Sequence, residues 1–304
     1  MMVPYDEMSY FAENAAEFGL ELTGEPKVAR VAVPIDGTRS LSALRWGTGV
    51  PEFVFLHGGG QNAHTWDTVA LALGRPIVAF DLPGHGHSDD AGVTGPTDPW
   101  ANAADITAAM RSLTPGGAIV VGMSLGGLSA IALTDVAPEL VRALVIIDVT
   151  PGVTPAKAAA IASFVNGPET FADFDAILAR TVEHNPTRTV ASLRRGILHN
   201  ARQTSDGSWV WRYRRPNGAA FSGDIVRRDV STLWDALSNN GVPLLFVRGT
   251  RVGSVVDDGD EAELRRRCPT AVVVPLDAGH SVQGDAPIAL AATIADFAAD
   301  VSSL

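Results

Sequence analysis

The chain has 304 residues, of which 46% are hydrophobic and 19% charged, a composition typical of a soluble globular protein with a sizeable core. Its formal net charge of -11 argues against nucleic acid and anionic membranes as partners, because both bind basic surfaces. Because Cys268 is its single cysteine, the chain cannot form an intramolecular disulfide. Its acidic N-terminal stretch is unlike a signal peptide, and no segment is apolar enough to span a membrane. We therefore expect a cytoplasmic protein.

The N-terminal region predicts a helix followed by a hairpin. Residues 6–19 have the spacing of an amphipathic helix. Its apolar side chains share one face: Met8, Phe11, Ala15 and Phe18. The next two apolar segments, Val28–Ile35 and Leu41–Trp46, are predicted to be strands joined around Asp36-Gly37. We expect residues 1–27 to form a helical extension that packs on the main body.

From residue 53 onward, short apolar runs alternate with helical patterns. The predicted strands are Phe53–His57, Pro76–Phe80, Ala118–Val121, Ala143–Asp148, Leu244–Arg248 and Ala271–Pro275. The predicted helices span residues 64–73, 101–113, 125–137, 259–267 and 285–300. Fully apolar strands that alternate with helices are typical of a parallel sheet covered on both faces. We therefore predict an α/β fold whose core comprises residues 28–149 and 241–304.

The alternation lapses in residues 150–240, which are mildly basic while the rest of the chain is acidic. The segment is rich in aromatic side chains: Phe164, Phe171, Phe174, Trp209, Trp211, Tyr213, Phe221 and Trp234. Helical spacing in Phe171–Thr181 and Thr189–His199 predicts an inserted, mostly helical cap, or lid, domain. The alternative is a helical elaboration that does not contact a ligand.

The most informative motif is Gly122-Met123-Ser124-Leu125-Gly126, which lies between a predicted strand and a predicted helix. In this context the G-x-S-x-G pattern predicts a sharp, strained turn that exposes the serine hydroxyl at the carboxyl edge of the sheet. Ser124 is therefore a candidate nucleophile. The alternative is a glycine-rich turn in which serine is only a small polar residue.

A serine hydroxyl needs a base to take its proton and a third group to orient that base. The candidate base is His280, which follows the last predicted strand after Gly279. The candidate acid is Asp148, at the end of the strand that follows the one bearing Ser124. Two rival carboxylates, Asp257 and Asp258, have another explanation, because they precede a predicted helix and fit capping positions.

A second glycine-rich loop, His57-Gly58-Gly59-Gly60, follows strand Phe53–Leu56. Its backbone N–H groups, together with that of Leu125, would suit the oxyanion that develops in acyl transfer. We interpret His57 itself as structural. A metal site at His85 and His87 is not predicted, because two histidines without a nearby cysteine are a weak signal, and no cofactor is expected.

Taken in order and spacing, these motifs resemble the α/β-hydrolase superfamily: His57-Gly58-Gly59-Gly60, Asp81-Leu82-Pro83-Gly84-His85-Gly86-His87-Ser88, Gly122-Met123-Ser124-Leu125-Gly126-Gly127 and Gly279-His280. Within it, residues 57–66, 192–196 and 209–213 are similar to actinobacterial, mycobacterial-type carboxylesterases. The resemblance implies an α/β-hydrolase fold, with Ser124 as nucleophile, His280 as base, and Gly59 and Leu125 as oxyanion donors.

One departure from that family bears on the acid. Many members carry it about four residues beyond an Arg-Gly pair after the penultimate strand, and here Gly253 occupies that place. The vacancy favours Asp148, since a subset of the superfamily places its acid after the earlier strand. We thus predict a serine hydrolase that cleaves small, short-chain carboxylic esters through an acyl-enzyme. The alternatives are a carbon–carbon bond hydrolase or lactonase with the same residues, or a slow-turnover small-molecule receptor.

Overall fold

A computed structural model describes residues 3–90, 98–214 and 229–303. Its strands, in chain order, are β1 (Val28–Pro34), β2 (Ser40–Trp46), β3 (Phe53–Leu56), β4 (Ile77–Phe80), β5 (Ala118–Met123), β6 (Val141–Ile147), β7 (Thr170–Phe171), β8 (Ala201–Gln203), β9 (Trp209–Trp211), β10 (Leu244–Gly249) and β11 (Val272–Leu276). Its α-helices are α1 (Phe11–Glu17), α2 (Asp67–Leu73), α3 (Pro99–Leu113), α4 (Leu125–Val136), α5 (Ala159–Val165), α6 (Phe174–His184), α7 (Val190–Asn200), α8 (Leu233–Ser238), α9 (Asp258–Arg267), α10 (Val282–Asp285) and α11 (Pro287–Ser302).

The central sheet has the strand order β1-β2-β4-β3-β5-β6-β10-β11. The predicted hairpin is confirmed, because β1 pairs with β2 in antiparallel fashion and β2 pairs likewise with β4. From β4 to β11 neighbouring strands are parallel. All carboxyl ends of these parallel strands therefore lie at one edge, where the loops after β3, β5, β6 and β11 meet.

Helices cover both faces of the sheet, so β3 is buried on either side. Its side chains alternate: Phe53 and Phe55 pack in one core with α2 and α11, while Val54 and Leu56 pack in the other with α3, α4 and α8. Full burial of each such side chain contributes on the order of 1.5–3 kcal/mol. The predicted α/β architecture, a mostly parallel sheet flanked by helices, is confirmed.

The N-terminal helix is shorter than the predicted 6–19. The backbone carbonyl of Asp6 accepts from the Ser9 hydroxyl at 2.8 Å and its carboxylate accepts from the Met8 N–H at 3.3 Å, so a turn precedes α1. Phe11 is buried as predicted, with its ring centroid 4.8 Å from that of Trp46. Within the described ranges, none of the helices combines the length and apolar character that crossing a bilayer requires.

Between β6 and β10 the described residues form four α-helices, α5 to α8, and a small antiparallel sheet in the order β7-β9-β8. This sheet was not predicted from the sequence, because its strands have only two or three residues and show no periodicity. The turn between β8 and β9 contains Asp206-Gly207, a hairpin signal that would have indicated it. Phe221 of the predicted aromatic set lies outside the described residues.

Candidate active site

Ser124 lies in the strained turn that its motif predicts. It has φ 53 and ψ -119, a conformation that residues with a side chain rarely adopt, and α4 begins at the next residue. A Cβ on Gly122 would lie 2.4 Å from the carbonyl oxygen of Gly126, and one on Gly126 would lie 2.2 Å from that of Leu56. The turn therefore requires both glycines, and it presents Ser124 at the carboxyl edge of the sheet.

Asp148 and His280 are brought together at the same edge. The Nδ1 atom of His280 lies 2.8 Å from Oδ2 of Asp148. The carboxylate is fully buried and also accepts from the Gly249 N–H at 2.9 Å, the Ser254 hydroxyl at 2.6 Å and the Val255 N–H at 3.2 Å. These donors hold Asp148 as an acceptor, so the His280 Nδ1–H donates to it. Ser254 and Val255 were missed by the sequence reading, which has no local signal for a contact across a hundred residues.

The other ring nitrogen of His280 remains available. Its Nε2 atom is buried and makes no hydrogen bond to any residue that the structure describes, and His280 and Ser124 line the same cavity of about 540 Å³. The described structure does not join Ser124 and His280 by a hydrogen bond. Such contacts are often long before a substrate binds. A ring nitrogen with its lone pair free, in the cavity of a strained serine, is the arrangement that general-base chemistry requires.

The rival carboxylates are engaged elsewhere, at the start of α9. Asp257 accepts from the Asp260 N–H at 2.9 Å, and Asp260 accepts from the Asp257 N–H at 3.0 Å, which forms a capping box. Lys157 lies 2.8 Å from Asp257 and lowers the pKa of that carboxyl to about 2. Asp258 pairs with Arg248 at 2.7 Å. Gly253, at the commoner acid position, has φ 101.

The glycine-rich loop after β3 packs directly on the Ser124 turn. A Cβ on Gly58 would meet the Met123 sulfur at 2.6 Å, and one on Gly59 would lie 4.0 Å from the Leu125 side chain. Leu125 is the first residue of α4, so its N–H has no acceptor within the helix. The Gly59 N–H donates to no other residue in the described ranges. Two unused backbone donors therefore lie near the serine.

His57 holds this loop in place, as its structural interpretation predicted. It is buried, its Nδ1 donates to the Gly58 carbonyl at 2.7 Å, and its Nε2 accepts from the Leu82 N–H at 2.9 Å. Burial lowers the pKa of His57 to about 3, so the ring is neutral. His85 supports the same loop, since its Nε2 accepts from the Gly60 N–H at 3.1 Å.

Among the described residues, one group has the spacing of metal ligands: His64, Asp67 and His199, whose ligand atoms lie within 4.8 Å of one another. The sequence did not single out this group. His64 contacts Asp67 at 2.9 Å through Nδ1 and Glu7 at 3.0 Å through Nε2. Burial alone would lower the pKa of His64, but these carboxylates raise it to about 9. His64 is therefore an imidazolium at neutral pH, paired with both carboxylates.

Comparison with known proteins identifies the family of the chain. Residues 53–293 match a family described as the alpha/beta hydrolase family. The chain is 43% identical over 298 residues to Esterase Rv0045c of Mycobacterium tuberculosis, covering 94% of this chain and 93% of that protein. A solved structure of that esterase aligns with a TM-score of 0.82 at 42% identity and covers 96% of this chain and 98% of the other.

A more distant relative is 2-(acetamidomethylene)succinate hydrolase of Mesorhizobium japonicum, which is 29% identical over 266 residues, or 86% of this chain and 92% of that protein. A solved structure of an E-2-(acetamidomethylene)succinate hydrolase aligns with a TM-score of 0.75 at 26% identity and covers 89% and 98% of the two chains. The extent of the family match and the identity to the mycobacterial esterase confirm the resemblance seen in the motifs. The chain belongs to the alpha/beta hydrolase family.

Proposed function

We propose that this protein is a serine carboxylesterase in which Ser124, His280 and Asp148 form the catalytic triad, and the N–H groups of Gly59 and Leu125 form the oxyanion hole. One observation carries the proposal: Asp148 holds Nδ1 of His280, while Nε2 stays unpaired in the cavity that Ser124 lines. The 43% identity to a mycobacterial esterase supports ester hydrolysis as the reaction.

The reaction follows from these positions. The Ser124 Oγ attacks the ester carbonyl carbon while the His280 Nε2 atom takes the hydroxyl proton. Asp148 stabilises the imidazolium that results. The Gly59 and Leu125 N–H groups bind the negatively charged oxygen of the tetrahedral intermediate. The intermediate collapses, the alcohol leaves with the proton from His280, and an acyl-enzyme remains. Water, deprotonated by His280, then attacks the acyl carbon and releases the carboxylic acid and Ser124.

Residues 150–240 act as a cap over this site, and residues 28–149 with 241–304 form the catalytic core. Side chains of α5 and of the α6–α7 connection line the Ser124 cavity: Ala160, Ile161, Phe164, Val165, Asn185, Pro186 and Thr187. Residues 1–27 are an extension of the core.

The substrate is a small ester, and no nucleic acid or membrane takes part, in keeping with the acidic net charge. The one cysteine, Cys268, is a free thiol and fits a cytoplasmic location.

A hydrolysis assay with p-nitrophenyl acetate and butyrate tests the proposal. The wild-type protein should turn over both esters, and Ser124→Ala should lose activity by several orders of magnitude while its thermal unfolding stays unchanged. An inactive wild-type protein that binds the esters would instead identify a receptor on a hydrolase scaffold. Equal rates for the wild type and Ser124→Ala would refute the triad.

A further inference from the structure

A second cavity, of about 160 Å³, adjoins the one that holds Ser124. The two cavities share part of their lining: Gly60, Gln61, Phe164, Asn185 and Ser281. The lining of the second cavity is partly polar and partly apolar, and it includes two arginines of the cap segment, Arg188 and Arg195. These two side chains are electrostatically very different.

Arg195 has its charge balanced by the protein. Its Nε donates to the Asn14 side-chain oxygen at 2.8 Å, one Nη pairs with Glu17, and the other lies 3.6 Å from Glu13. All three partners belong to the N-terminal segment around α1. A buried cation with carboxylate partners is the arrangement that proteins ordinarily adopt. Arg195 is therefore a structural link between α1 and α7.

Arg188, in contrast, lacks a carboxylate partner among the described residues. One Nη donates to the Ser192 hydroxyl, and the Nε atom is buried with no hydrogen-bond partner in the part of the chain that the structure describes. Asp285 and Glu17 act on its charge, but neither forms an ion pair with it. Burial lowers the pKa of Arg188, yet a guanidinium remains protonated at neutral pH. A partly buried cation with so few partners costs the protein stability, and an anionic ligand would offset that cost.

The guanidinium of Arg188 is also placed close to the reacting groups. A Cβ on Gly284 would lie 2.5 Å from its Nη1 and 2.8 Å from its Cζ, so the guanidinium rests on the backbone of α10. That helix begins two residues after His280. The three residues directly before Arg188, Asn185 to Thr187, line the Ser124 cavity. An anion at Arg188 can therefore belong to the same molecule as an ester at Ser124.

We propose that Arg188 binds a carboxylate carried by the substrate, so that the preferred substrates are monoanionic esters with a free carboxylate in the acyl or the alcohol part. The planar guanidinium fork matches a carboxylate through paired hydrogen bonds. Asp67 also lines this cavity and has a buried, unpaired oxygen, which disfavours a doubly charged phosphate. This inference rests on the proposed esterase function and names its substrate class.

Pairs of isosteric esters test the inference. Monomethyl adipate is compared with methyl hexanoate, and 4-acetoxybutanoate with butyl acetate, so that each pair differs by one carboxylate. In at least one pair the wild-type protein should favour the anion in kcat/KM by roughly tenfold to a hundredfold, the range for a hydrogen-bonded charge. Arg188→Gln should remove this preference, with a much larger loss in kcat/KM for the anion than for the neutral ester.

Two variants control for charge and folding. Arg194→Gln removes the same charge from an exposed position on α7, away from both cavities, and should keep the anion preference. Arg195→Gln should lower the melting temperature, since it breaks the contacts with Glu13 and Glu17, whereas Arg188→Gln should not. The binding of monomethyl adipate to Ser124→Ala, measured by calorimetry, should likewise weaken when Arg188→Gln is added.

The outcomes separate this inference from the esterase proposal. If p-nitrophenyl acetate is hydrolysed in a Ser124-dependent manner but both neutral esters are preferred, the substrate class is wrong and the esterase proposal stands. An equal loss for the anionic and neutral members in Arg188→Gln would also overturn it. If p-nitrophenyl acetate hydrolysis persists in Ser124→Ala, the esterase proposal itself fails.

Discussion

Asp148 and His280, separated by 132 positions in the chain, meet at 2.8 Å where β6 and the loop after β11 reach the same edge of the sheet. The parallel order β5-β6-β10-β11 brings these carboxyl ends together. Asp148 takes a positive φ of 48, which turns its side chain out of the strand toward the His280 ring. The contact is thus a consequence of topology, and it can be tested one residue at a time.

Asp148→Asn should lower turnover by about four decades, because an amide at this position permits the wrong imidazole tautomer, as in the comparable protease case. The stability of this variant should fall as well, since the buried carboxylate accepts four hydrogen bonds. Steady-state hydrolysis of p-nitrophenyl butyrate gives the first quantity and urea unfolding the second.

The control for this substitution is Asp257→Asn. It should keep wild-type turnover and lose only about 0.5 kcal/mol of stability, because asparagine can still cap α9 and only the charge contact with Lys157 is lost. Asp258→Asn removes an exposed carboxylate and should change turnover and stability only slightly. If either of these variants lost its activity while Asp148→Asn stayed active, the acid of the triad would be Asp257 or Asp258 instead.

His64 should make the free energy of unfolding fall as the pH rises into the alkaline range. Its folded pKa of about 9 lies above the ordinary value of 6.5, so its charged contacts with Asp67 and Glu7 contribute fully below pH ~6.5 and are lost as the pH rises through about 9. Tyr5 and His199 face the same cluster and keep it buried. The difference in unfolding free energy between the wild type and His64→Gln should therefore be larger at pH 6 than at pH 9.5. A difference that grows with pH would show that His64 is neutral in the folded protein.

Gly122→Ala should destabilise the protein strongly, because the added Cβ would lie 2.4 Å from the carbonyl oxygen of Gly126. Both strand β5 and helix α4 would have to shift, and with them Ser124. The matched control is Gly196→Ala on α7, where the added Cβ meets nothing within 4 Å and stability should rise by about 0.5–1 kcal/mol. Chemical unfolding measures both variants. Equal stability of the two would contradict the packing of the Ser124 turn.

Short acyl chains should be hydrolysed faster than long ones. The Ser124 cavity is partly closed by α5 and the connection to α7, and the second cavity beside it is small. A series of p-nitrophenyl esters from acetate to palmitate gives the profile. A maximum at long chains, with activation at a lipid interface, would indicate a lipase.

The sequence predicted most of what is local. Gly122 to Gly126 specify a turn through contacts within a few residues, and the apolar runs specify the strands to within about two positions. The pairing of Asp148 with His280 was predicted from strand order, although its supports at Ser254 and Val255 were not. The cluster of His64 with Asp67, Glu7 and His199 combines segments from three regions of the chain, so that no spacing reveals it. For the same reason the sequence does not reveal that Arg195 is paired with carboxylates and Arg188 is not.

The central claim, that Ser124 is a nucleophile activated by His280 and Asp148, is tested most directly by labelling. The protein is incubated with a fluorophosphonate that reacts with activated serines, and the modified peptide is mapped by mass spectrometry. We predict one adduct, on Ser124, which is absent in Ser124→Ala and forms far more slowly in Asp148→Asn. An adduct on another residue, or equal labelling of wild type and Ser124→Ala, would contradict the account.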